Sequence, residues 1–280
     1  MKRYRAAVIN DLSGLGRCSL EADISVLSAM GISVCPAPTA VLSAHTAYPV
    51  YSRLDLSGEL PEYLGKWNAA GASFAGILTG YLTGEAEASA VLAYLREQRE
   101  DTGVITVDPV MADNGKPYSN YSDDLCRRLR EMAGEADIVT PNLTELMLLA
   151  GKDPGEALSF QASDAGKIEE LANMARELIC RRDQTIVVTG LALEDRIGNL
   201  AVTELKEELV WAKKSGGGFS GTGDLFAAVL FGAVLRGQSV KEGTELAAAF
   251  IEKSAASAAL HGCTSNDGAD FEEHLKMLLP

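Results

Sequence analysis

The sequence predicts an α/β protein with a mainly parallel sheet covered by helices on both faces, and three observations predict it. Short β-branched runs bounded by Gly, Pro, Asn or Asp recur along the chain. Amphipathic helical patterns separate them almost everywhere. No internal repeat or low-complexity linker interrupts the alternation, so residues 1–280 are expected to form one domain.

Each element follows from its own residues. "YRAAVIN", "ISVCPAPTAVL", "SFAGILTG", "GVITVDPV", "ADIVTP" and "QTIVVTG" read as strands in that order. "GNLAVTEL" and "ELVWAKKS" then read as an antiparallel hairpin near residues 198–214. Pro36 and Pro38 demote the second strand to an edge or a bulged segment, because proline donates no ladder hydrogen bond. Helical patterns fall at about residues 16–30, 59–70, 84–100, 122–134, 142–150, 165–181, 223–236 and 240–261, with a last one at about 268–279. The polar segment Gly151–Lys167 reads as a solvated loop without assigned function.

Composition narrows the function classes. The formal charge of −14 comes with no basic stripe, which argues against a nucleic-acid partner but not against a nucleotide. No apolar run reaches the roughly 18 residues of a membrane span. The opening "MKRYRAAVINDLSG" turns polar at Asn10, too early for a secretory leader, so a cytoplasmic place is expected. Five cysteines are widely spaced without a C-x-x-C, which fits buried thiols in a reducing compartment.

In such sheets ligands collect beyond the carboxyl ends of the strands. Six polar segments lie there: "NDLSGLG", "SAHTAY", "TGYLTG", "DPVMADNGK", "TPNLTE" and "TGLALED". A seventh stretch, "SGGGFSGTGDLFAAVLFGAVL", puts four glycines ahead of an apolar helix that has an acid in its first turn. It matches G-x-G-x-x-G formally, but that motif normally follows a first strand with an acid about 20 residues on. No Lys-Ser/Thr closes it as a Walker A loop either. Backbone N–H groups of Gly221, Thr222, Gly223 and Asp224 would hold charge on a transferring phosphoryl group. Asp224 beside them would accept a proton from an attacking hydroxyl. The plainer alternative is that Asp224 only caps its helix.

"GTGD" resembles the anion-hole and base motif of the ribokinase-like superfamily, and "PNLTE" resembles its N-x-x-E motif about 80 residues earlier. "SAHTAY", "LTGYL" and "DPVMAD" resemble the pyridoxal kinase family within it. The resemblance spans about Ala7 to Leu260 and implies a three-layer ribokinase-like fold. It implies ATP-dependent phosphorylation of the 5′-hydroxymethyl group of a vitamin B6 vitamer: pyridoxal, pyridoxamine or pyridoxine. Asp224 then matches the catalytic base, and Gly221, Thr222 and Gly223 the anion hole. Asn142 and Glu145 match residues that organise Mg²⁺ and its waters near the nucleotide, and Asp113 an acid at the phosphate site. Glu145 and Asp113 would hold the metal through water. Thr189 falls where the family contacts ATP, while Thr46 and Tyr81 match residues around the pyridine ring. "DNGKPYSNY" resembles a flexible lid, and a homodimer is implied. The family allows a monovalent cation besides Mg²⁺.

One departure divides the resemblance. Pyridoxal kinases usually carry Ser where this chain has Asp11, and the stretch from Asn10 to Asp23 is more similar to hydroxymethylpyrimidine kinases. An anionic Asp11 could bind a protonated ring nitrogen or the ammonium of pyridoxamine. Its structural alternative is a turn residue capping the next helix. His45, Asn142, Tyr81 and Asp108 each have a structural alternative as well: a core contact, a cap, a packed aromatic and a turn acid. Gly216 to Gly218 are read as permitting loop mobility rather than touching ligand. A catalytically silent vitamer- or nucleotide-binding sensor is the reading from another class.

Overall fold

The computed structural model describes residues 4–160 and 165–280. Its strands are β1 (Tyr4–Ser13), β2 (Ile32–Leu42), β3 (Arg53–Asp55), β4 (Gly76–Thr79), β5 (Val104–Val107), β6 (Ala112–Asp113), β7 (Lys116–Pro117), β8 (Ile138–Val139), β9 (Thr185–Leu193), β10 (Arg196–Val202) and β11 (Glu207–Lys213). Nine of them form one sheet in the order β11-β10-β9-β8-β5-β4-β1-β2-β3, while β6 and β7 make a separate small hairpin. β9, β8, β5, β4, β1 and β2 run parallel; β3, β10 and β11 pair antiparallel.

The helices are α1 (Ser19–Ala29), α2 (Leu60–Ala69), α3 (Glu85–Gln98), α4 (Asp123–Glu135), α5 (Leu143–Leu149), α6 (Ala165–Arg176), α7 (Thr222–Leu235) and α8 (Val240–Leu260). Side chains alternate across the sheet, so each strand feeds two cores. Val8, Leu78, Ile138 and Val187 pack with α1, α7 and α8 on one face. Ile9, Ile77, Val107, Val139 and Ile186 pack with α2 to α6 on the other. α7 is apolar all round because α1, α8 and the sheet enclose it, and every residue from Leu225 to Ala233 is buried. Fully buried Phe231 and Phe250 each contribute about 1.5–3 kcal/mol by leaving water.

The expected alternation and late hairpin are present, and the differences have local causes. Over Pro36 and Pro38, β2 pairs only with β1, and the register skips a residue between Pro38 and Val41, so the segment is both edge and bulge. β3 and the β6–β7 hairpin are too short to show a period and were not expected. α6 ends at Arg176 rather than near 181: Leu178 and Ile179 make tighter i→i−3 bonds, and the Gln184 side chain accepts the Cys180 N–H. α1 starts at Ser19 because Gly16, at φ +106°, turns the chain away first. The helix expected at 268–279 is a 3₁₀ turn, Glu272–Met277. Buried Phe271 and Leu278 flank its two ends. Within the expected loop Gly151–Lys167, residues Pro154–Ser159 form a 3₁₀ turn with no buried residue; positions 161–164 lie outside the described residues.

Candidate active site

The order of parallel strands reverses at β1, which has β4 on one side and β2 on the other. A crevice opens at such a switch point beyond the strand ends. The last residues of β1 and the chain after β4 and β5 meet the N-termini of α1 and α7 there.

Asp224 is the third residue of α7, whose N-cap is Gly221. Gly221 sits at φ +79°, and a Cβ there would come within 2.0 Å of the Arg17 carbonyl oxygen. Only glycine gives both the left-handed turn and that close approach. No side chain caps this helix start. The Asp224 carboxylate reaches across the crevice instead, accepting from the Ser19 backbone N–H and from Asn10 Nδ2 at 3.1 Å. Burial pushes its pKa up to about 6, helped by the charge of Asp11. A half-buried acid poised near neutral pH is suited to taking a proton. Asp224 is therefore not the N-cap of its helix.

Asn142 and Glu145 do cap theirs. Asn142 Oδ1 accepts from Glu145 N at 3.0 Å, and Glu145 Oε2 accepts from Asn142 N at 2.9 Å. Glu145 Oε1 accepts from Met111 N at 3.1 Å, and Asn142 Nδ2 donates to the Ala112 carbonyl at 2.8 Å. Thr144 Oγ1 accepts the Gly115 N–H at 3.0 Å. The pair thus staples the β6–β7 hairpin, which begins the expected lid, to the start of α5. Burial and the neighbouring Asp108 hold Glu145 well above the ordinary glutamate range. Asp113 lies on that hairpin, exposed, with both carboxylate oxygens accepting from Asn114.

This arrangement bears on Mg²⁺. Among the described residues no three His, Cys, Asp or Glu side chains converge as a metal cage. Glu145 and Asp113 already use both oxygens on N–H groups. Such a donor set fits a hard cation held by phosphates and waters, with these acids in outer-sphere contact.

Asp11, near the end of β1, is buried, and Ser13 Oγ donates to it at 2.8 Å with the Ser19 hydroxyl also bonded. It sits eight residues before α1, so it does not cap that helix. Burial raises its pKa against those hydrogen bonds. Tyr81 is half-buried beside it, with its backbone N–H donating to Asn10 Oδ1 and its carbonyl accepting from Thr39 Oγ1. Thr46 is exposed in the turn after β2. Its neighbour His45 is bonded at both ring nitrogens: Nδ1 accepts from Ala47 N, which leaves Nε2 to donate to the Asn266 carbonyl at 2.8 Å.

Thr189 lies on β9 beside the start of α5, donating its backbone N–H to the Pro141 carbonyl at 2.9 Å and bridging to Asn142. It lines an apolar cleft together with Lys214, Gly217, Gly218, Thr222 and Gly223. The cleft joins the open start of α7 at one end. Gly217 and Gly218 therefore form part of its wall, beyond the mobility expected of them.

Three residues were not singled out from the sequence. Asn10 bridges the acids of the crevice, and Asp23 on α1 is one of them. Tyr118, after β7, faces Glu145, Asp113, Asp224 and Asp108, and burial and those charges raise its pKa. Asp108 proves more than a turn acid: it is buried, accepts from Thr140 Oγ1 at 2.8 Å, and is pushed up to about 7 by burial and by Asp224. The single acids of "NDLSG" and "DPV" were visible in sequence; their convergence was not.

Known proteins with similar sequence and fold place the chain in a family. Residues 15–268 match the phosphomethylpyrimidine kinase family. The pyridoxine/pyridoxal/pyridoxamine kinase of Bordetella avium is 32% identical over 242 residues, 80% of this chain and 75% of that protein. A Bacteroides thetaiotaomicron protein assigned as a phosphomethylpyrimidine kinase, crystallised with pyridoxal, is 32% identical with a TM-score of 0.88 over 99% of this chain and 96% of that one. Pyridoxal kinase from Lactobacillus plantarum is 28% identical, with a TM-score of 0.89 over 99% and 97% of the two chains. The chain belongs to the phosphomethylpyrimidine kinase family of the ribokinase-like superfamily, among relatives that include pyridoxal kinases.

Proposed function

We propose that the chain is a pyridoxal kinase: it transfers the γ-phosphoryl group of ATP to the 5′-hydroxymethyl group of a B6 vitamer. The observation that carries this reading is Asp224, a proton acceptor with a pKa near 6 set beside the uncapped N-terminus of α7. Asp224 takes the hydroxyl proton as the oxygen attacks. The amides of Gly221, Thr222 and Gly223 hold charge on the transferring group. The cleft along Thr189, Gly217 and Gly218 takes the nucleotide, and Asp11, Thr46 and Tyr81 face the ring. Mg²⁺ would neutralise phosphate charge, with Glu145 and Asp113 ordering its waters. The whole chain acts as one domain, in the cytoplasm, where its five free thiols stay reduced. A homodimer would cover Leu12, Val41 and Leu54, exposed register neighbours on β1, β2 and β3.

The test is ATP-dependent turnover of pyridoxal, pyridoxamine, pyridoxine and hydroxymethylpyrimidine side by side, with Asp224→Asn as control. A B6 vitamer is expected to give the highest kcat/KM, and the variant to lose on the order of 10² or more in kcat. Binding without turnover would leave a sensor. Buried Asp11 and the family match favour one second reading, hydroxymethylpyrimidine kinase of thiamine synthesis. Asp11→Ser is expected to lower the pyridoxamine-to-pyridoxal efficiency ratio; an unchanged ratio removes Asp11 from substrate choice.

A further inference from the structure

Asn10 has no freedom to turn its amide over. Its Oδ1 accepts two backbone N–H groups, from Asp11 at 3.0 Å and Tyr81 at 2.8 Å. Nδ2 must therefore point the other way, where its two hydrogens go to Asp23 Oδ2 at 2.9 Å and Asp224 Oδ1 at 3.1 Å. Gly80 closes the space behind, since a Cβ there would lie 2.5 Å from the Asn10 amide. All four hydrogen-bonding positions of this amide are filled, so it is a rigid link between two acids.

The two acids differ in their surroundings. Asp224 is half-buried and also bonded to Ser19 N–H. Asp23 is only 1% exposed, packed on α1 among Leu20, Ala22, Val26 and Leu27. Its Oδ1 has no partner. An aliphatic residue would suit that helix position, and a carboxylate with only one of its oxygens bonded is costly to bury there. The groups that face Asp23 from the neighbouring elements are acids: Asp11 of β1, Asp108 after β5 and Asp224 of α7. No cation is among them. Burial and the charge of Asp224 both push its pKa well above the ordinary aspartate range.

We propose that Asp23 is a positioning residue for the transfer reaction: it anchors the Asn10 amide so that Asp224 keeps the rotamer that meets the substrate hydroxyl. Neutral Asp23 still accepts from Asn10 through Oδ2, and the negative charge of the linked pair stays on Asp224. This inference rests on the kinase reading above.

Asp23→Leu and Asp23→Asn test it, each assayed for vitamer phosphorylation with thermal unfolding measured alongside. Asp23→Leu orphans one Asn10 hydrogen and is expected to lower kcat by on the order of 10–10², with KM for ATP and vitamer moving less than about threefold. Asp23→Asn restores an uncharged acceptor and is expected to recover most of that loss. The acidic limb of its kcat–pH profile is expected to stay where the wild type has it. Removing a charged neighbour would instead move that limb to lower pH, which would overturn the neutral assignment. An unchanged kcat in a folded Asp23→Leu protein would overturn the positioning role, as would equal losses of kcat and of thermal stability in both variants. If the wild-type chain phosphorylates no vitamer, the kinase reading fails and this inference fails with it; if only the variants disagree, the kinase reading stands.

Discussion

α5 and α7 start in the same way on paper and differently in space. Each has an acid as its third residue, Glu145 and Asp224. Glu145 bends back to its own N-cap, and its oxygens are spent on the N–H groups of Asn142 and Met111. Asp224 leaves its own helix start uncapped and bonds across to β1 and α1. One end is closed by its own acid; the other is left without a side-chain cap. α8 repeats the closed form on the surface, where Ser239 and Glu242 make a capping box and the glutamate pKa is lowered. α3 stands between them: Glu87 Oε2 accepts from Thr83 N at 2.7 Å, while Oε1 is buried without a partner. Backbone N–H groups at a helix start will take whichever acceptor is offered. Glycine, with nothing to offer, caps both α3 and α7; what separates α7 is that its third-residue acid bonds across to β1 and α1, whereas Glu87 of α3 turns back to Thr83.

Three substitutions would break or sharpen that contrast. Gly221→Ala strikes the open end hardest, because it strains φ and drives a methyl into the Arg17 carbonyl. It is expected to cost about 1–3 kcal/mol in stability and on the order of 10² in kcat as the amides shift. Near-wild-type kcat would mean that the amide cradle is not used. Asn142→Ala opens the closed end and is expected to cost about 1–2 kcal/mol by denaturant titration, with a smaller fall in kcat than Asp224→Asn gives. A kcat loss equal to that of Asp224→Asn would place both helix starts in the chemistry. Glu87→Gln addresses the intermediate case. Burial lifts Glu87 from 4.5 to about 7, so the native state holds its proton more tightly than the unfolded chain. That group therefore lowers stability as pH rises from about 4.5 through 7. The variant is expected to be more stable by on the order of 1 kcal/mol at pH 8 and to show no gain at pH 4. A gain independent of pH would trace to packing instead.

The chain shows its chemistry most clearly where the signal is local. Gly221 to Asp224 could be read because the loop glycines, the acid and the apolar helix are contiguous. The strands and most helices could be read because burial imposes a period on ten or so residues at a time. Asn142 could be read as a cap, and the capping-box spacing to Glu145 already implied that the acid would turn back on it. Asn10 and Asp23 could not be read as a pair with Asp224, because their meeting depends on β1, α1 and α7 converging at the switch point. Tyr118 was hidden for the same reason: a two-residue strand pair that shows no period brings it to the acids.

The bond from Asn10 to Asp224 joins residues 214 positions apart. β1 is made before α7, and its Asn10 amide must wait until α7 has been made. Until then the Asn10 amide lacks its Asp224 partner. Pairing across such a span closes late in folding, since its loop-closure cost is met only when the intervening strands are in place. With Asp224 as the proposed base, competence to transfer a phosphoryl group would be acquired in that late step.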